Sequence, residues 1–197
     1  DRKTKIGAFV TPKDPPVADF ARGTVQPYVD QYPNLHPSLV YGRALYAALG
    51  VQGLSYIVDP TSPFQEFSEK STVVDYLQYP RDTMARKSGD CDDLTVLFAA
   101  ALENIGIPAA LVDVPGHVFL IFNTGVAEAE KGTLGFPDLL FVVHRGTVWV
   151  PLEMTMVGAP FTRAWQKGAE EFRDWSAKGQ VEIIEVQKAW EEFSPVT

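Results

Sequence analysis

The chain has 197 residues, 46% of them hydrophobic, and a formal net charge of −8. This fits one domain, or one domain with a small accessory lobe, and supplies enough apolar side chains for a full core. The acid excess argues against nucleic acid and anionic membrane surfaces as main partners. The single cysteine excludes an internal disulfide and any Cys-rich zinc site, and no run is long enough to span a bilayer, so no membrane insertion is expected of this chain.

The chain begins at Asp1 with neither an initiator Met nor a signal sequence, which reads as a mature form or a segment cut from a longer, multidomain protein. Residues 1–37 carry Pro12, Pro15, Pro16, Pro27, Pro33 and Pro37. They read as extended chain with a short strand at 6–10 and a helical turn or two near 25–32. His36, just before Pro37, reads as a surface or capping histidine. A helix is expected from Pro37 to about Leu49, with Leu39, Leu45 and Leu49 as its stripe and Gly50 as its end. An extended segment at 53–60, a helix over 64–77 and a short helix over 81–87 follow. Then come strands at 109–114 and 117–122, the second apolar on both faces and therefore central and covered on both sides. Residues 124–138 read as an exposed loop. A hairpin pairs 139–143 with 148–152, a polar helix over 162–178 turns Trp165, Phe172 and Trp175 inward, and a strand at 181–186 and a helical turn at 189–193 close the chain. Helices followed by strands predict an α+β domain with a mainly antiparallel sheet. Residues 1–52 are read as an N-terminal segment and helix accessory to a core over 53–197.

The chemistry centres on Lys87-Ser88-Gly89-Asp90-Cys91-Asp92-Asp93 and the helix that follows. Leu94, Leu97, Phe98, Ala101, Leu102 and Ile105 recur at helical spacing. Cys91 belongs to the first turn, where free N–H groups and the helix dipole favour a thiolate. Against this, most lone cysteines are small buried hydrophobes, and acids on both sides oppose a second negative charge. Of three histidines, His144 sits in a tight turn, whereas His117 opens the central strand after Pro115-Gly116. A satisfied core histidine is the plainer reading; the other is a general base facing Cys91. Asp113, Asp138 and Glu153 are the candidate acids to orient its ring, with Glu153 preferred and Asp138 next.

The ordered pieces Lys87–Asp93, Ile105-Gly106-Ile107-Pro108-Ala109, Pro115-Gly116-His117 and Trp149–Thr155 resemble the bacterial transglutaminase-like cysteine protease family over roughly residues 56–155. The resemblance implies a papain-like core with the nucleophile at the start of the central helix. Carried over, Cys91 is the nucleophile, His117 the base and Glu153 the acid, where an aspartate is more usual; the family's His-Ala-Trp run is here His-Val-Phe. For the oxyanion it offers Cys91's own N–H with Tyr56, or next Tyr79. It implies no cofactor, although some relatives bind calcium through acids near the cysteine, a role open here to Asp92 and Asp93. The expected function is a cysteine peptidase or amidase acting on a protein or peptide substrate through a thioester, in an extracytoplasmic (periplasmic or secreted) setting. The alternatives are a protein-glutamine acyltransferase that crosslinks, and a non-catalytic binding or scaffold module of a larger envelope protein. Trp149 is the one tryptophan read as lying near the site. With no second one to wall an amine tunnel, water is the favoured acyl acceptor.

Overall fold

The computed structural model describes residues 3–28, 31–58 and 77–196. Six α-helices are described: α1 (Pro15–Val25), α2 (Pro37–Val51), α3 (Pro80–Arg86), α4 (Cys91–Asn104), α5 (Phe161–Ala177) and α6 (Val186–Glu192). Among the described residues the strands are β1 (Ser55–Tyr56), β2 (Ser88–Gly89), β3 (Ala109–Val114), β4 (His117–Ala127), β5 (Val142–His144), β6 (Thr147–Leu152) and β7 (Glu182–Glu185). The fold class is α+β, with N-terminal helices on an antiparallel sheet, as the order of elements predicts. The expected helix over 64–77 lies, but for Leu77, outside the described residues.

Two N-terminal expectations are corrected. The segment read as a strand at 6–10 is instead a 3-10 helix, Lys3–Phe9. Residues 15–25, read as extended because of their prolines, form α1. Pro15 and Pro16 occupy its first turn, where the missing N–H and fixed φ suit a helix start. His36 does cap α2, its Nδ1 accepting from the Ser38 N–H at 3.4 Å.

The main sheet runs in the order β5-β6-β4-β3-β7, antiparallel throughout, with β4 in the middle. Strand alternation sends Val118, Leu120 and Phe122 into one cluster with α4, and Phe119 and Ile121 into a second with Trp149, Phe172 and Trp175. Thus β4 is covered on both sides. It also runs on to Ala127, past the expected end of strand, through an irregularity between Asn123 and Ala127. The region read as an exposed loop is therefore part strand and part 3-10 helix, Glu128–Leu134. The β5–β6 hairpin turns on Arg145 and Gly146, both at positive φ, as a tight two-residue hairpin requires. The sheet curls enough for its two edges to meet: His144 Nε2 on β5 and Arg145 Nε beside it lie 2.8 and 2.7 Å from Glu185 Oε1 on β7.

One core joins the N-terminal segment to the rest. Val10, Val17, Phe20 and Ala21 pack with α4, α2 and the sheet in a single buried cluster. Within α4, every residue from Cys91 to Leu102 is buried. A helix buried along its whole first three turns holds its N-terminal residue in a fixed place.

Candidate active site

Three element ends converge: the start of α4, the start of β4 and the end of β6. Asp90 caps α4, and its side chain and that of Asp93 exchange bonds with each other's backbone N–H groups in a capping box. Asp93 also accepts the Gln78 N–H at 2.7 Å and the Gln78 side-chain amide. One turn into the helix, the Thr95 hydroxyl donates to Val118 O at 3.5 Å. That tie brings the first turn of α4, with Cys91, to the first residue of β4, which is His117.

His117 Nε2 lies 2.7 Å from Glu153 Oε2. Glu153 is only 2% exposed, and its other oxygen accepts the Thr155 N–H at 2.9 Å and the Thr155 hydroxyl at 2.7 Å. Its backbone N–H donates to Ala164 O on α5. The carboxylate is thus oriented at both ends. Burial pushes the His117 pKa down, but hydrogen bonding with Cys91 and Glu153, and their charges, carry it up to about 10. Burial raises Glu153, and the opposed His117 bond and charge overcome this and hold it at about 2. With Nε2 taken by Glu153, Nδ1 is the ring nitrogen left for the thiol.

Of the three candidate acids, Glu153 is the one that meets the imidazole. Asp138 is a surface residue paired with Lys131 at 2.9 Å, and Asp113 sits in the β3 ladder between Val118 and Glu182. Tyr56 is 39% exposed on β1, which pairs in parallel with β2 just before Cys91. Burial raises its pKa, and the charges of Cys91, Asp90 and Glu153 add to the rise, so its hydroxyl faces this end of α4. Tyr79 instead stacks on Phe9 at 5.2 Å and under Arg81.

Trp149 is a correction. It sits in the second cluster with its Nε1–H on Thr147 and its ring against His144. It pairs opposite Asn123, which at 3.3 Å per residue is about 20 Å of strand from His117. Trp165 packs against Phe136 and Phe141, Trp175 against the second cluster, and Trp190 on Gly7.

Asp92 is 4% exposed. Burial first, then a hydrogen bond and charge from Asp90, raise its pKa to about 10, so it is neutral at pH 7. Its Oδ1 accepts the Asp93 N–H at 2.9 Å. Both Asp93 oxygens are engaged, by Gln78 and by the Asp90 N–H. Potential ligand atoms also gather at Asp90–Cys91–Asp92 and at His117–Glu153–Glu171; the second group is joined by the ion pairs of His117 with the two carboxylates.

The residue that the spacing does not reveal is Glu171 on α5, whose Oε2 is 3.6 Å from His117 Nε2. On a polar helix it reads as half of an ordinary i,i+4 pair with Lys167, and that pair does form, at 3.1 Å.

Compared with known proteins, the chain matches no family model, no curated protein and no solved structure.

Proposed function

We propose that the chain is a cysteine hydrolase of the transglutaminase-like type that cleaves a peptide or amide bond through a thioester. The observation that carries this reading is a single imidazole shared by a buried carboxylate, at 2.7 Å, and the thiol that opens α4. A ring held cationic against Glu153 favours the thiolate–imidazolium pair as the resting state.

In the proposed reaction Cys91 Sγ attacks the substrate carbonyl carbon, and the carbonyl oxygen becomes an oxyanion. The Cys91 N–H, at the first position of α4, has no helical acceptor and is the backbone donor for that charge; the Tyr56 hydroxyl is the side-chain donor on the same side. His117 then gives its proton to the departing amine as the carbon–nitrogen bond breaks, leaving a thioester on Cys91. Water attacks this carbon, passing one proton to His117. The carbon–sulfur bond breaks, the acid leaves and the thiolate–imidazolium pair returns. Glu153 stays ionised throughout and holds the ring. The displacement of Trp149 along β6, opposite Asn123, favours water over an amine as acceptor.

The test is a peptide pool incubated with the protein, with and without excess labelled primary amine. New peptide termini from the wild type, absent with Cys91→Ala and with His117→Ala, are expected. Amine incorporation faster than cleavage replaces hydrolysis by acyl transfer. Neither product over the pH range 5–9 removes the enzyme reading in favour of a binding module.

A further inference from the structure

We propose that Glu171 is a positioning residue of this site: with Glu153 it forms a pair of carboxyls converging on one imidazole nitrogen, and its ionisation sets how firmly His117 is held as a cation. The inference rests on the thiol–imidazole reading given above.

The placement begins with a glycine. A Cβ on Gly168 would lie 2.8 Å from Leu152 N and 2.9 Å from Pro151 C, so α5 rests directly on the backbone of β6. The Glu153 N–H on Ala164 O, at 3.1 Å, pins the end of β6 to the first turn of α5. Glu171 follows Gly168 by three residues and so lies on the same face, over the His117–Glu153 pair. Its Oε1 meets Lys167, while Oε2 is buried, 3.6 Å from His117 Nε2 and beside the Glu153 carboxyl. An ordinary surface pair on a helix does not bury one carboxylate oxygen against an imidazole.

Two carboxylates at one cation repel each other, so one of them is the weaker acid. Glu153, tied to Thr155 and His117, is the stronger. Glu171 is the weaker: burial, then the hydrogen bond and charge of Glu153, raise its pKa to about 7, against the opposing pull of Lys167 and His117. The charged and titratable groups facing this trio are Lys167 and Glu170 on α5, Cys91 on α4, Tyr56 on β1 and Tyr46 on α2. Below pH 7 the Glu171 carboxyl is neutral and competes, as a donor, for Glu153. Above it, a second negative charge stands beside the imidazolium and favours the charged ring.

The experiment is the pH titration of the His117 ring by NMR in the full chain, for wild type, Glu171→Gln and Lys167→Met, with the iodoacetamide rate at Cys91 measured alongside and in His117→Ala. In the wild type, the ring signal is expected to show an inflection near pH 7. Glu171→Gln is expected to abolish it and to lower the ring's own titration by about one unit, a tenfold shift in its protonation equilibrium. Lys167→Met is expected to move the inflection upward, because the ammonium that favours the carboxylate is gone. A structural role alone moves none of these, and Lys167→Met reads the same ionisation if Glu171→Gln fails to fold. A His117 titration identical in all three proteins overturns the role of Glu171 while leaving the thiol–imidazole site standing. A Cys91 rate that follows an ordinary thiol and is unchanged in His117→Ala removes that site and this inference with it.

Discussion

Asp92→Asn is expected to stabilise the protein, and to do so only where the pH is high enough. In the folded chain Asp92 holds its proton up to about pH 10, against an ordinary value of 3.8. Folding therefore takes up a proton at this residue over the whole interval. A folded-state pKa above the unfolded one contributes stability that is complete below pH 3.8 and lost as pH rises toward 10. At pH 7 the unfolded group is about 3 units above its own pKa. At about 1.4 kcal/mol per unit this costs on the order of 4 kcal/mol. Asparagine is the uncharged copy of the protonated acid: its oxygen accepts the Asp93 N–H that Asp92 Oδ1 accepts at 2.9 Å, and its amide donates toward Asp90. For a domain of this size, a gain of that order is roughly 8–16 °C in melting temperature. The assay is thermal unfolding of both proteins at pH 4 and pH 8. Nearly equal Tm values at pH 4 and a large advantage for the variant at pH 8 are expected. An advantage that is the same at both pH values, or a variant that melts lower at pH 8, refutes the claim that Asp92 is buried as the neutral acid.

Two further substitutions probe the frame of the site. Glu153→Gln removes the charge beside His117 and is expected to cost about 1.5–3 kcal/mol at pH 7; because the Glu153 pKa lies below its unfolded value, the gap to wild type closes as pH falls from 4.5 toward 2. Its turnover on any cleaved peptide should fall by more than that stability loss explains, and turnover equal to wild type would separate Glu153 from the reaction. Gly168→Ala puts a methyl against the backbone of Leu152 and Pro151, which cannot yield as a flexible side chain would. A loss of about 1–3 kcal/mol is expected by chemical denaturation, and a variant more stable than wild type, as helix propensity alone would have it, would contradict the close approach of α5 to β6.

Much of this architecture is written locally. The stripe of Leu94, Leu97, Phe98, Ala101 and Leu102 marks α4, and the two-faced apolar run after His117 marks a central strand. The meeting of His117 with Glu153 was legible because both stand at strand ends. Helix α1 was not, because Pro15 and Pro16 act as a breaker or as a helix start depending on the cap before them. Trp149 was misplaced because alternation along β6 says which face a residue takes but not how far along the strand the site lies. Glu171 could not be read at all: its partner in sequence is Lys167, and its partner in space comes from a glycine contact between α5 and β6.

The meeting of His144 and Arg145 with Glu185 has a consequence away from the chemistry. An open sheet ends in two rows of unsatisfied N–H and C=O groups, each a template onto which a foreign strand can add. Here both outer strands are short, three and four residues, and an ion cluster at their ends draws the two rims together. The clasp makes Glu185 a tie between the two rims as well as a strand residue. Loss of β7 would uncover the flank of β3 and free His144 and Arg145 from Glu185 in the same event, so that damage at the C-terminus is felt at both rims of the sheet.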